Sequence, residues 1–167
     1  MEGKMGMGLL NKLFNTTEEA ICAPVGGEVV PVTEVSDPTF SEELLGKGIA
    51  IRPINGRVCA PCDATIDLMF DTGHAVSMTA DCGAEILVHI GLETVKLNGQ
   101  HYTVHAKNGD KVKAGDLLIE FDRDAIAAAG FDTITSVVIC NSNDYSHFKT
   151  YTGMMASVGD KIIGLKK

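Results

Sequence analysis

Two histidines on either side of a turn are the residues best suited to chemistry. His74 and His89 lie on the arms of "FDTGHAVSMTADCGAEILVHIGLETV", residues 70–95, and the glycine-bearing "ADCG" between the arms predicts a β-hairpin. If the loop has an even length, paired residues sum to 163, as 74 and 89 do. The two side chains then face each other with Cβ atoms roughly 4.5–5.5 Å apart. Val76 and Met78 share the face of His74, and Leu87 and Glu85 that of His89. A three-residue loop shifts the sum by one and sends the rings to opposite faces. Neutral imidazole is a nucleophile and a metal ligand, and a neighbouring ring that donates a hydrogen bond stabilises charge arriving at the first. Phosphoryl transfer through histidine uses both properties. The competing motif is "CAPC", Cys59 to Cys62, since a C-x-x-C pair serves as a redox dithiol or half a zinc site. Strand-like runs flank it where a redox pair would open a helix, and no second C-x-x-C completes a zinc site.

The elements that must position these residues are short. From Ala20 onward, apolar runs such as "GEVVPVTEV", "GIAIRP", "AEILVHI", "DLLIEFD" and "TSVVICN" are cut by Gly, Pro, Asp and Asn. That spacing predicts an all-β fold, an antiparallel β-sandwich or barrel-like domain over residues 20–167, with short helical pieces at "TFSEELLG" and "DRDAIAAAG". Asp122 or Asp124 would cap the latter and Gly130 stop it. Two internal repeats predict pseudo-symmetric halves: "APVGGEVV" from Ala23 with "APCDATID" from Ala60, and "KAGDLLIEF" from Lys113 with "SVGDKIIGL" from Ser157. Residues 1–19 read as a flexible or weakly amphipathic leader, with Leu9, Leu10, Leu13 and Phe14 at helix-face spacing between Lys4 and Lys12. At most they make a weak membrane-surface contact.

The 167 residues suffice for one domain with a real core. Eighteen glycines agree with many turns, and a net charge of −8 opposes nucleic-acid binding. No apolar run approaches the ~18–20 residues of a spanning helix, and no signal-peptide core is evident. Five cysteines, an odd number, suit reduced thiols in a cytoplasmic protein. His101, His105 and His147 read as surface histidines, and Lys111 and Lys113 lack the flanks of a biotinyl or lipoyl lysine.

From about Ala20 to Leu165 the chain resembles the glucose-type IIA component of the bacterial phosphoenolpyruvate-dependent sugar phosphotransferase system. The resemblance rests on "LVHIGLETVKLNG", "GDKVKAGDLLIEFD", "GKGIAIRP" with "VCAPCDATI", and "FDTGHAVSM". It implies that His89 accepts a phosphoryl group from the histidine phosphocarrier protein and passes it to a cysteine of a IIB component for sugar uptake. It further implies that His74 contacts that group, that Thr72 hydrogen-bonds in the cluster, and that the Gly91 carbonyl holds the other nitrogen of His89 as N–H. No cofactor is required by this chemistry. Asp37 and Glu93 match rim positions of a docking face, with Phe40, Phe70, Leu87 and Ile90 as its apolar floor. The family pattern also carries a regulatory alternative, in which the unphosphorylated protein inhibits permeases or metabolic enzymes and His74 and His89 share a zinc ion with a partner's carboxylate. Glu93 stands where Asp is frequent, Leu87 where Phe is common, Val76 where an aromatic follows His-Ala, and Ala64 replaces the Gly of the usual Ala-Pro-x-Asp-Gly turn.

Overall fold

The computed structural model describes residues 17–167, so the amphipathic stripe at Leu9 to Phe14 lies outside the described residues. The strands are β1 (Glu19–Cys22), β2 (Gly27–Pro31), β3 (Lys47–Pro53), β4 (Arg57–Cys59), β5 (Ala64–Met69), β6 (Ala75–Ala80), β7 (Glu85–Ile90), β8 (Tyr102–Val104), β9 (Lys111–Val112), β10 (Leu117–Phe121), β11 (Thr135–Ile139), β12 (His147–Thr150), β13 (Met155–Ala156) and β14 (Lys161–Lys166). Among the described residues two short helices, α1 (Pro38–Ser41) and α2 (Arg123–Ala128), accompany the strands, with three 3-10 turns. The all-β expectation holds. An antiparallel eight-stranded sheet of order β13-β2-β3-β11-β7-β6-β5-β9 packs with two three-stranded sheets, β1-β14-β12 and β4-β10-β8. No described helix is long and apolar enough to cross a membrane.

The repeats correspond to a pseudo-dyad in the backbone. Cys22 N–H donates to the Pro61 carbonyl at 2.9 Å, and Cys59 N–H to the Pro24 carbonyl at 2.7 Å. Ala23 N–H meets the Asp160 carbonyl at 2.7 Å as Ala60 N–H meets that of Asp116 at 2.8 Å. From its two edges inward the large sheet runs β13-β2-β3-β11 and β9-β5-β6-β7, so β2 and β5, which carry the first repeat, hold equivalent places. Glu18 and Glu19 belong to this framework, although the sequence assigns them to the leader. Glu19 pairs with Leu165, and the Glu18 carboxylate bonds Lys161 and His147. His147 is thereby a half-buried strand residue hydrogen-bonded to the Glu18 carboxylate and not a plain surface histidine.

Alternation sets the two faces of the large sheet. Val76, Met78, Ile86, Val88 and Ile90 enter the main core, leaving Ser77, Thr79, Leu87 and His89 on the other face. That outer face has its own small core: Val30, Val32, Val35, Phe40, Ala50, Ile134 and Val138, with Leu87 and Leu92 packed against it. It forms because the chain after β2 folds back over the sheet. α1 follows, started by Asp37, whose Oδ1 accepts from Thr39 N–H at 2.9 Å, and by Pro38 at the first position, where the missing N–H costs nothing. The helix predicted at "TFSEELLG" stops at Ser41, and Glu43 takes left-handed backbone at φ 57°. α2 is capped by Asp122, as expected, through Ala125 N–H at 3.0 Å.

The paired Gly-Asp turns give a stability test. Asp116 Oδ2 accepts from Lys113 N–H and Asp160 Oδ2 from Ser157 N–H, both at 2.8 Å. Asp116→Ala and Asp160→Ala should each lower unfolding free energy by about 1 kcal/mol, and the double variant by about the sum, because the turns share no partner. Urea denaturation of the four proteins reads this directly.

Candidate functional site

His89 is the fifth residue of β7, on the outer face, and its Nδ1 lies 2.8 Å from the Gly91 carbonyl oxygen. A carbonyl only accepts, so Nδ1 carries the proton and Nε2 keeps its lone pair. The chain reaches back in this way because Gly91 adopts φ +85°; a Cβ there would sit 2.5 Å from Thr94 Cγ2 and 2.9 Å from the Asp132 carbonyl. Around it, Gly91 N–H donates to Ile134 O at 3.0 Å, Leu92 N–H to Asp132 O at 3.0 Å, and the Thr94 and Tyr102 hydroxyls both donate to Ile90 O, at 2.7 and 2.9 Å.

His74 reaches His89 by a route other than the one its spacing suggests. The connecting turn has three residues, Asp81 to Gly83, closed by Gly83 N–H to Ala80 O and Ala80 N–H to Ala84 O, both 2.8 Å. The β6–β7 register therefore sums to 164, with Ala75 opposite His89. Strict alternation would then separate the rings, yet their centroids are 5.1 Å apart at an interplanar angle of 82°. The reason is that β6 begins at Ala75, and His74 lies in the bend before it. Gly73, at φ +72°, turns the chain there and packs against Tyr102. His74 is consequently free of the strand's pleat, and Val76 and Met78, expected beside it, point into the main core. Thr72 Oγ1 hydrogen-bonds His74 Nδ1, so the threonine and both histidines of the sequence motif do converge.

The rings continue as a row. Phe40 lies 5.0 Å from His89 and Phe70 lies 5.2 Å, edge-on, from His74. Asp37 lies close enough to His89 to favour its protonated form electrostatically, while Glu93 is exposed, at left-handed φ 56°, and pairs with Lys96 at 3.1 Å. Leu87 is half-buried against Phe40's cluster. Ile90 departs from expectation: it is fully buried in the main core, on the face opposite His89, and offers no surface to a partner. Sequence reasoning missed Tyr102 and Thr94, which hold the Ile90 carbonyl, and Ser136, which is in register with His89 on β11, buried, and without a hydrogen-bond partner for its Oγ. The Thr at position 94, five residues after His89, carried a usable signal for capping the loop; the apolar run "ITSVVI" carried none for Ser136.

Burial is the main electrostatic influence. It lowers the His74 pKa to about 4, with His89 adding to the effect, and it lowers that of His89 against opposing contributions from the Gly91 carbonyl and Asp37. Both rings are neutral at pH 7. With Nδ1–H of each ring donating within the chain, the two Nε2 atoms would offer two of the four ligands of a zinc tetrahedron, and no cluster of three or more ligating side chains able to hold a metal occurs among the described residues.

Because the unfolded chain protonates His74 at ~6.5 and the folded chain only at about 4, the stability present above pH ~6.5 is lost progressively as pH falls toward 4. Replacing His74 by Gln should flatten the pH dependence of the urea midpoint across that window; an unchanged slope would show that His74 protonates as readily in the folded state.

Comparison with known proteins agrees with this geometry. Residues 19–145 match the family described as phosphoenolpyruvate-dependent sugar phosphotransferase system, EIIA 1. The chain is 48% identical over 128 residues to the PTS system beta-glucoside-specific EIIBCA component of Dickeya chrysanthemi, covering 77% of this chain and 20% of that protein. To the corresponding EIIBCA component of Bacillus subtilis it is 49% identical over 130 residues, 78% of this chain and 21% of the other. The chain thus spans about a fifth of these relatives. It is 40% identical over 146 residues to the PTS system glucose-specific EIIA component of Oceanobacillus iheyensis, covering 87% of this chain and 88% of that one. The fold superposes on glucose permease IIA from Mycoplasma capricolum with a TM-score of 0.84 and 29% identity, over 90% of this chain and 97% of the other. A histidine row built on this sheet, and a family match spanning most of it, place the chain in the EIIA 1 family of the phosphoenolpyruvate-dependent sugar phosphotransferase system.

Proposed function

We propose that His89 is the phosphoryl acceptor and donor of this EIIA component, taking the group from the histidine phosphocarrier protein and handing it to a cysteine of a IIB component in the cytoplasm. The observation that carries this reading is the 2.8 Å contact of His89 Nδ1 with the Gly91 carbonyl, which leaves Nε2 as the nucleophile. The Nε2 lone pair forms the new N–P bond as the donor's N–P bond breaks, and the Nδ1 proton stays on the imidazole, shared with Gly91 O. His74 acts from the side. With the Thr72 hydroxyl donating to its Nδ1, its Nε2 bears the proton and donates to the phosphoryl oxygens, stabilising negative charge in a half-buried setting. Relatives whose names join EIIA to EIIB and EIIC support a IIB domain as the receiving partner.

A second role uses the other tautomer of His74: with Nδ1–H donating to Thr72 Oγ1, both Nε2 atoms keep lone pairs, and the unphosphorylated face binds a target protein whose carboxylate completes a zinc site on His74 and His89. The two roles exclude each other on one molecule, since both use the lone pair of His89.

With the phosphocarrier protein, the phosphoenolpyruvate-driven donor enzyme and a IIB domain, His89→Ala should take up no acid-labile phosphate. His74→Gln should be labelled at His89 yet donate about 100-fold more slowly, as expected for loss of one positioned donor. Stable label on His74 in the native protein would overturn the assignment.

Docking to a basic partner gives a second test. Asp37 also caps α1, so charge is best removed by Asp37→Asn, which keeps an acceptor for Thr39 N–H. Transfer by Asp37→Asn should slow mainly through association, with the loss shrinking as salt is raised past the ~8–10 Å screening regime. Glu93→Gln should do less, because Lys96 already pairs with Glu93.

A further inference from the structure

The turn between β6 and β7 carries a second group of reactive side chains, at the end of the hairpin away from the histidines. Cys82 is the middle residue of that turn. The β5–β6 register sums to 144 from Ala64↔Ala80 to Ile66↔Met78, and Asp81 N–H donates to the Asp63 carbonyl at 2.9 Å, one pair beyond the strands. Continued one pair further, that count brings Cys62 toward Cys82 on the core side of the sheet, where both pack against the main core and Cys82 is near enough to act on the Cys62 thiol. An ideal antiparallel pair at that place, of the non-hydrogen-bonded class, has Cα atoms ~4.5 Å apart. That separation is within the ~4.4–6.8 Å that a disulfide spans. Both thiols are half-buried against the main core, and Cys22 lies alongside, its N–H bonded to the carbonyl of Pro61.

Burial first, then the nearness of Cys82, Cys22, Asp63 and Asp81, push the Cys62 thiol up to about 12. Cys62 is therefore a neutral thiol, and Cys82, on the turn, meets an oxidant first. The C-x-x-C spacing pairs Cys62 with Cys59 instead. In the fold Cys59 is a buried residue of β4, opposite Leu117, so the partner of Cys62 comes from across the sheet and not from its own motif.

We infer that Cys62 and Cys82 are a thiol pair that hydroperoxides oxidise to a reversible disulfide. The Cys82 sulfur attacks one peroxide oxygen, the O–O bond breaks, and Cys82 becomes a sulfenic acid with release of hydroxide, which takes the proton that Cys82 gave up. The Cys62 sulfur then attacks the sulfenic sulfur; the S–S bond forms, the S–O bond breaks, and the hydroxyl leaves as water with the Cys62 proton. Two thiols are oxidised, one hydrogen peroxide is reduced, and two waters form. His74 lies eight residues from Cys82 along β6, about 26 Å at ~3.3 Å per residue, so the inference stands apart from the phosphoryl-transfer reading.

The test treats the reduced full chain with hydrogen peroxide, alkylates remaining thiols and maps peptides without reductant. The expected result is a Cys62–Cys82 linked peptide, a loss of about 2 Da from the intact chain, and return of both thiols with dithiothreitol. Cys62→Ser and Cys82→Ser should each abolish the link, while Cys22→Ser should retain it. A link of Cys62 to Cys22 or Cys59, a link between two chains, or sulfinic acid on Cys82 beside a free Cys62 would each overturn the pairing. The map of the native chain decides this even where a serine variant does not fold.

Discussion

The carbonyl of Gly91 is the constraint on which the histidine pair depends. An imidazole in water exchanges its proton between two nitrogens; one bound to a carbonyl at 2.8 Å does not, because only the protonated nitrogen can face that oxygen. The loop after β7 is built to keep this oxygen still. Its flanking N–H groups are held by Ile134 and Asp132, and the preceding carbonyl receives two hydroxyls, from Thr94 and Tyr102. Glycine is needed at 91 for its backbone angle and for the space that Thr94 and the Asp132 carbonyl would deny a Cβ.

A second condition is dryness without enclosure. The outer face of the large sheet would be wet along its whole length if the chain after β2 ran elsewhere. Folding residues 32–41 over it buries Phe40 against His89 and contributes to the burial that lowers the pKa of that ring. Asp37 works against this by favouring the charged form of His89, so a single residue caps the covering helix and moderates the ring beneath it.

Much of the architecture was legible because glycine and aspartate punctuate this chain where strands turn, and because repeated turns imply repeated structure. The residues of the histidine cluster were legible as well, but not the geometry that joins them. "ADCG" is compatible with loops differing by one residue, and the register changes parity between them; the rings meet only because His74 precedes the strand, a fact lodged in Gly73's backbone angle. Ile90 shows the opposite case. Alternation alone puts it on the face opposite His89, where it is, whereas resemblance placed it on the docking floor. Ser136 sits in β11, which is buried along its whole length, and the alternation that marks a two-faced strand is missing there.

The place of β11 in the large sheet sets an order of events in folding. β3 and β7 do not pair with each other; both pair with β11, whose residues come 82 and 45 positions later, counting from Pro53 and Ile90 to Thr135. A chain emerging from the ribosome therefore holds two unjoined half-sheets until Thr135–Ile139 arrives, which makes folding non-local and slow. Asp132 and Ile134, which steady the loop of Gly91, arrive in the same segment. The pocket around His89 is thus assembled only when β11 joins the two halves of the sheet, so the geometry of the histidine pair forms late.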